Sequence, residues 1–330
     1  MDTEILDPFV DLLARASTSH AVRAAQVQGA APELWNTIVA SGYLDALAPE
    51  SAGGAGLTPN DISSLAIACG HHLAPAPIME TILARSILAH NAIHAAKDRP
   101  ILFWPQAPNG HPQSLLAPAF FSDALALVQR GDAFFLMDVA PCARDAFGII
   151  PTALADQRPR LASFEMRGVN LMAWAGAITA ACMAGAMNAI LAMAIDHANT
   201  RVQFGRPLAK FQSLQHQLAA MAEKTAAANA AARFGFAAGT LETTLWRTGV
   251  AKCFANEAAT LACATAHALH GAIGISQDHD LQLYARHLKR AQLSYGGEGH
   301  WALEVARPWR HSAAATGLDF VREQGSLPKA

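Results

Sequence analysis

The chain has 330 residues, room for about two domains or one large one. Hydrophobic residues make up 52% and charged residues 15%, against roughly 45–50% and 25% in an average globular protein, which excludes a disordered chain. Lys and Arg number 24 and Asp and Glu 26, and the formal charge of −2 gives no general electrostatic attraction to nucleic acid or an anionic membrane.

Residues 1 to about 97 read as helical. Leu34, Ile38, Val39 and Tyr43 recur at helical spacing. Pro49-Glu-Ser-Ala-Gly53-Gly-Ala-Gly56 is a loop by its Gly and Pro content. Thr58-Pro59 then starts a helix, with Thr58 as N-cap and Pro59 at the first helical position. A further apolar helix runs from Ile78 to about Ala96. The texture changes at Arg99-Pro100. Ala124–Val128, a turn over Gln129–Asp132 and Ala133–Met137 predict strand, turn, strand, with weaker strands at Phe147–Ile150 and Arg160–Phe164.

From Gly168 the pattern is helical again. Gly168 to Ile195 carries no charge and is long enough to cross a bilayer. It is mostly Ala, Gly and Met, contains Asn170, Thr179 and Asn188, and lacks aromatic or basic anchors at both ends. The reading is a central helix buried on all sides, reaching about Thr200. Further helices are predicted over about Lys210–Phe236, Thr240–His270 and Asp280–Ser294, with Gly296, Gly297 and Gly299 interrupting before a last helix to about His311. The expected fold is mainly α with a small β insert. The expected domains are a helical domain over 1–98, a short β domain over 99–166 and a four-helix bundle over 167–330. The tail from Gln324 reads as frayed.

The five cysteines, at 69, 142, 182, 253 and 263, form no CxxC pair and read as buried apolar residues in a reducing compartment. The acidic start shows no secretory signal, so a cytoplasmic protein is expected. No GxGxxG follows a strand, and there is no P-loop, HExxH or GxSxG motif. His267 and His270 share a helix face with His279 nearby, and are read as surface or interface histidines rather than metal ligands.

The chemistry concentrates in Arg201-Val-Gln-Phe-Gly-Arg-Pro-Leu-Ala-Lys-Phe-Gln212. A long uncharged helix ends in an Arg, a Gly turn follows, and the next helix opens with Gln. Arg201 can fork onto a phosphate, Phe204 can pack a ring, and Gln212 can hydrogen-bond a polar cofactor.

This segment resembles the flavin-binding signature of the acyl-CoA dehydrogenase family. Pro49–Gly56 resembles the family's "PEEYGGxG" loop. Leu269-His-Gly-Ala-Ile-Gly-Ile-Ser-Gln-Asp-His-Asp-Leu-Gln-Leu-Tyr284 resembles "HGGIGFTWEHDLHLY", and Ser294-Tyr295-Gly296-Gly297 resembles the loop at the reacting centre. The resemblance implies the family's helical–β–helical fold and FAD shared across a subunit interface. One protomer's β domain holds the isoalloxazine ring, and its neighbour's C-terminal helices hold the pyrophosphate and adenosine. It assigns Arg201, Gln203, Phe204, Gln212, His270, Gly271 and Ala272 to the latter end. The implied reaction removes the α proton of an acyl-CoA with a carboxylate base while the β hydride passes to the flavin.

The chain departs from this pattern where the chemistry happens. The family's base follows the Tyr of the reacting-centre loop, and Gly296 stands there. A variant position lies 26 residues before the signature Arg, and Ala175 stands there. Glu298 lies two residues on, a displacement of about 7 Å for extended chain. Residues 100–165 contain neither a "TEPxAGSD" nor a "WxT/S" motif. The expected function is therefore a subunit of an FAD-dependent acyl-CoA dehydrogenase that lends a half-site to a homologous partner carrying the Glu. An α2β2 assembly in sterol side-chain or ring catabolism is the family analogy. The alternatives are a self-sufficient dehydrogenase using Glu298 as base, and a flavin-free scaffold on the same fold.

Overall fold

The computed structural model describes residues 3–28, 31–94, 96–105, 123–139, 160–237 and 239–325. Five helices come first: α1 (Thr3–Ala16), α2 (Ser19–Gln28), α3 (Pro32–Ser41), α4 (Pro59–His71) and α5 (Ile78–His90). At the start of α4 the backbone N–H and the hydroxyl of Thr58 both donate to the Asp61 carboxylate, at 2.9 and 2.6 Å. The predicted start is therefore the observed one. Helix α5 stops short of the expected Ala96, because the chain turns at Ala92 with φ +54.

Four strands follow: β1 (Ile101–Pro105), β2 (Leu125–Arg130), β3 (Ala133–Asp138) and β4 (Arg160–Glu165). They form one sheet in chain order, with β1 parallel to β2 and the other neighbours antiparallel. The β2–β3 hairpin turns at Gly131-Asp132, within the predicted turn. β1 gave no alternating signal because every residue of it is buried, so Ile-Leu-Phe-Trp-Pro is apolar throughout. The candidate strand Phe147–Ile150 lies outside the described residues.

The C-terminal helices are α6 (Leu171–Thr200), α7 (Gln212–Gly235), α8 (Leu245–His270), α9 (Leu281–Leu293), α10 (Glu298–Arg310) and α11 (Gly317–Gly325), with a two-residue ladder of β5 (Val202–Gln203) and β6 (Arg206–Pro207). α8 starts at Leu245, later than the expected Thr240, because the Thr244 side chain caps it by accepting the Arg247 N–H. Gly299 does not interrupt the chain; it lies in the first turn of α10. Helix α11 reaches Gly325, and Phe320 anchors it edge-on to Trp246 and stacked on Trp309; the rest of the tail from 326, expected to be frayed, lies outside the described residues.

Helix α6 organises the molecule. Its start is capped twice: the Asn170 side chain accepts the Ala173 N–H at 3.0 Å, and Gln129 Oε1 of β2 accepts the Leu171 N–H at 2.7 Å. Gln129 thus docks the sheet onto the helix. α6 and α8 are both long and apolar enough to cross a membrane, yet most residues of α6 are buried by other elements of the fold, with Ile195 and much of its C-terminal turn exposed. The crossing of α4 on α6 is a backbone contact. A Cβ at Gly185 would lie 1.8 Å from the Ile67 carbonyl oxygen, and one at Gly70 1.8 Å from that of Cys182. The described cysteines, Cys69, Cys182, Cys253 and Cys263, are free thiols.

Replacing Gly185 with Ala forces this crossing apart. The expected loss is about 3 kcal/mol, at the upper end for overpacking and beyond the roughly 1 kcal/mol that Ala contributes to helix propensity. Urea unfolding of Gly185→Ala checks it, and an unchanged midpoint would contradict the backbone contact.

Candidate functional site

Arg201 is the C-cap of α6, its N–H donating to the His197 carbonyl; it is exposed, and its side chain makes no hydrogen bond or ion pair among the described residues. Gln203 pairs with Arg206 across the β5–β6 ladder. Between them Phe204 sits at φ +51, a conformation that costs a bulky residue energy, and its side chain is 88% exposed. Its nearest aromatic neighbour, Phe211, meets it edge-on at 6.2 Å, and Arg206 lies over the Phe211 ring at 4.1 Å. Gln212 opens α7, and no side chain caps that helix. Its first N–H groups therefore remain available to an anion.

The second predicted segment meets this one. His270 ends α8, and Gly271 follows with φ +61 and ψ −139, a combination nearly restricted to glycine. A Cβ at Gly271 would meet nothing within 4 Å, and Gly271 and Ala272 are exposed. His197, one turn before Arg201, stacks on His270 with ring centroids 4.3 Å apart. The signature around Arg201 and the loop after His270 are thus neighbours. Together they offer an exposed Arg, an exposed ring held under strain, an uncapped helix start and an open Gly. That set suits the phosphate end of a dinucleotide cofactor.

The reacting-centre positions lie elsewhere. Ala175 sits near the start of α6, 1% exposed. With 26 residues of helix at about 1.5 Å each, it is about 39 Å along the axis from Arg201. The Tyr295–Gly296 loop belongs to Ala175's end: Trp301 Nε1 donates to both carbonyls, at 3.0 and 3.1 Å, and a Cβ at Gly176 would meet the Trp301 ring at 2.6 Å. Gly296 has φ +98, and a Cβ there would lie 2.5 Å from His300 Cδ2. A side chain there is strained by φ and requires the His300 ring to move. Glu298 is the first residue of α10 and is exposed, a position where the helix dipole favours a carboxylate. The seven residues Arg201, Gln203, Phe204, Gln212, His270, Gly271 and Ala272 thus cluster at one end of the bundle, and Ala175, Gly296 and Glu298 lie toward the other.

Two clefts border the sheet. One of about 690 Å³ lies between Gln129 and Asp132 of the hairpin, Asn170, and His300, Glu304 and Arg307 of α10. Another, of about 600 Å³, has the Pro49–Gly56 loop on one side and Leu241–Glu242 on the other.

Three residues escaped the sequence reading. His197 had a signal, its place one turn before the signature Arg. Glu80 of α5 is a carboxyl that burial pushes up to about 7, and it interacts electrostatically with Tyr295 and Cys182. Lys252 is fully buried in α8, and its Nζ donates to the carbonyls of Ala291, at 2.6 Å, and Ser294, at 3.3 Å. It caps α9 and fixes the start of the reacting-centre loop. Among the described residues no group of three His, Cys, Asp or Glu is placed to hold a metal ion.

Residues 169–307 match the family described as acyl-CoA dehydrogenase, C-terminal domain. The chain is 30% identical over 299 residues to acyl-CoA dehydrogenase IpdE2 of Mycobacterium tuberculosis, across 84% of this chain and 87% of that protein. Its fold is similar to that of a variant of the Tcur3481-Tcur3483 steroid ACAD, with TM-score 0.79, 21% identity, and coverage of 95% of this chain and 98% of that one. It is also similar to the ChsE4-ChsE5 complex from Mycobacterium tuberculosis, with TM-score 0.73, 20% identity, and coverage of 95% and 99%.

Burial pulls the Lys252 ammonium down to about 7 from its ordinary 10.5. Between those values the unfolded chain binds more protons than the folded one, so Lys252 makes stability rise with pH across that window. Lys252→Met is expected to flatten this rise. Urea unfolding of both forms at pH 7 and 9.5 measures the difference, and identical slopes would contradict it.

Proposed function

The chain belongs to the acyl-CoA dehydrogenase family, and from that premise we propose that it serves as the half-site subunit of a heteromeric, FAD-dependent enzyme. Its Arg201 end holds the pyrophosphate and adenosine of a flavin. The ring of that flavin rests on a homologous partner, which supplies the carboxylate that takes the α proton of the acyl-CoA. When bound, FAD supplies the hydride acceptor. This chain's residues bind and orient it. The Arg201 guanidinium pairs with phosphate, the α7 N–H groups and Gln212 donate to it, and Phe204 closes over the ligand from its strained perch. Gly271 lets the backbone approach.

The observation that carries this reading is the separation along α6. About 39 Å of helix between Ala175 and Arg201 exceeds the reach of one dinucleotide, so the phosphate end and this chain's own reacting centre belong to different cofactor positions. At that reacting centre Gly296 and Ala175 leave no base. The structurally similar ChsE4-ChsE5 complex and the Tcur3481-Tcur3483 pair support assembly with a second chain, which we take as an α2β2 arrangement. The steroid named for the latter supports a sterol-derived thioester as substrate class. Free thiols suit a cytoplasmic setting.

Purified alone, the protein is expected to be colourless. Co-purified with a homologous subunit it is expected to carry FAD, absorbing near the flavin maximum. Arg201→Ala should weaken flavin binding about 10–100-fold, the loss of one charge-assisted contact. Stoichiometric FAD and dehydrogenation by this chain alone would overturn the proposal. Gly296→Glu is expected to lower the melting temperature without creating activity, because both φ and the His300 contact oppose the side chain. Glu298→Gln is expected to leave turnover of the complex unchanged, whereas lost turnover would favour Glu298 as the base. Unaltered flavin content in Arg201→Ala would favour a scaffold.

A further inference from the structure

Glu80 is a carboxyl in the interior that neither the half-site reading nor the packing of the core uses. It sits in the first turn of α5, and beyond its own backbone N–H it meets no hydrogen-bond donor among the described residues. Burial raises it from the ordinary carboxylate range to about 7. An interior carboxyl without a partner is costly to keep.

Three other elements meet at Glu80. Helix α4 crosses α6 where Gly70 faces the Cys182 carbonyl, and Glu80 interacts electrostatically with the thiols of Cys69 and Cys182 and with the Tyr295 phenol. Cys182 and Tyr295 pack against the same N-terminal core. Yet Glu80, Cys182 and Tyr295 are only half-buried, although Met79, Thr81, Ala181 and Met183 beside them are at most 2% exposed. Surface that stays accessible between fully buried neighbours is the wall of a recess.

The recess leads away from the reacting-centre positions. Ala175, Thr179 and Cys182 fall at i, i+4 and i+7 on one stripe of α6. Thr179 is also half-buried, and its hydroxyl is engaged with the Ala175 carbonyl at 2.7 Å. The seven residues from Ala175 to Cys182 advance about 10 Å along the helix. Tyr295, with φ +52, stands on the opposite side, next to Gly296. A thioester with its reacting carbons beside Ala175 and Gly296 would therefore direct its tail toward Glu80.

We propose that this recess receives the far end of an acyl thioester that carries a hydroxyl or keto oxygen there, with Glu80 as its hydrogen-bond partner and specificity determinant. As a carboxylic acid Glu80 donates to either oxygen; ionised, it accepts from a hydroxyl. A plain alkyl tail fills the same space but leaves the carboxyl stripped of water and unpaired. Binding here needs neither flavin nor turnover, and so goes beyond the half-site reading: with no base at positions 175 and 296, this chain holds the thioester unreacted.

Calorimetric titration of the full chain with octanoyl-CoA and 8-hydroxyoctanoyl-CoA tests this, repeated on the complex with a homologous subunit, the Glu80 variants being carried by this chain only. The hydroxylated thioester is expected to bind about 10–100-fold more tightly. Glu80→Leu should erase that preference, weakening the hydroxylated probe and strengthening the plain one. Glu80→Gln, which still donates and accepts, should keep part of it. A Glu80 with a purely structural role would shift the melting temperature and leave the ratio unchanged, which overturns the proposal. Equal binding of the two thioesters by the wild type, or none, overturns it as well. So does 8-hydroxyoctanoic acid binding as tightly as its thioester, which would give the recess to a free lipid. Should both variants fail to fold, the wild-type ratio decides. Flavin content separates the two readings: a chain that carries its own FAD and prefers the hydroxylated thioester loses the half-site reading alone.

Discussion

The contact on which the structure depends is the one between two backbones. Gly70 of α4 and Gly185 of α6 face carbonyl oxygens of the opposite helix at distances that no side-chain atom could share. That crossing brings the N-terminal helices against α6. With α7 and α8 on its other flanks, most of α6 is buried, and an Ala-rich helix whose first 25 residues carry no charge packs as the central helix of the fold. Small residues make close packing possible, and close packing lets so apolar a chain bury its surface.

A largely buried, unbroken helix is also a ruler. α6 carries the cap at Asn170, the buried Ala175 and the exposed Arg201 in fixed order. Its rise separates the last two by about 39 Å. On the half-site reading proposed above, that rigidity keeps the Arg201 end and the Ala175 end from meeting at one cofactor, so each would be completed by another chain. On that reading one half is kept and the other is altered.

The alteration runs deeper than one missing carboxylate. At Gly296 the backbone adopts φ +98 and lies against His300 and Trp301, so the loop is built around the absence of a side chain. Lys252 still fixes the loop's start through two carbonyls, and Trp301 holds it through two more. On the half-site reading, the scaffold of a reacting centre survives there without its reagent. At the other end the opposite holds: Phe204 keeps a costly conformation and an exposed ring, which a surface with no ligand has no reason to keep.

Much of this was legible in the residues. Thr58-Pro59 marked a helix start because capping is local chemistry. The uncharged run from Gly168 marked the central helix because composition alone excludes solvent from its faces. Arg201, Gln212 and Gly271 were singled out through spacing and resemblance, and the structure brings their segments together at one end of the bundle. What could not be read depended on partners far apart in the chain. β1 hid because burial on both faces erases alternation, Lys252 because a lone Lys in an Ala-rich helix says nothing of the carbonyls it will meet, and His197 because its stacking partner lies on another helix. By itself, then, the sequence determined most of the helices, the Thr58 cap of α4 and the absence of a carboxylate at positions 175 and 296, since each is written within a few neighbouring residues. Only the tertiary structure decided that the Arg201 and Ala175 ends stand apart and that the loop at Gly296 strains a side chain placed there, because distance and free volume exist only once the helices are packed.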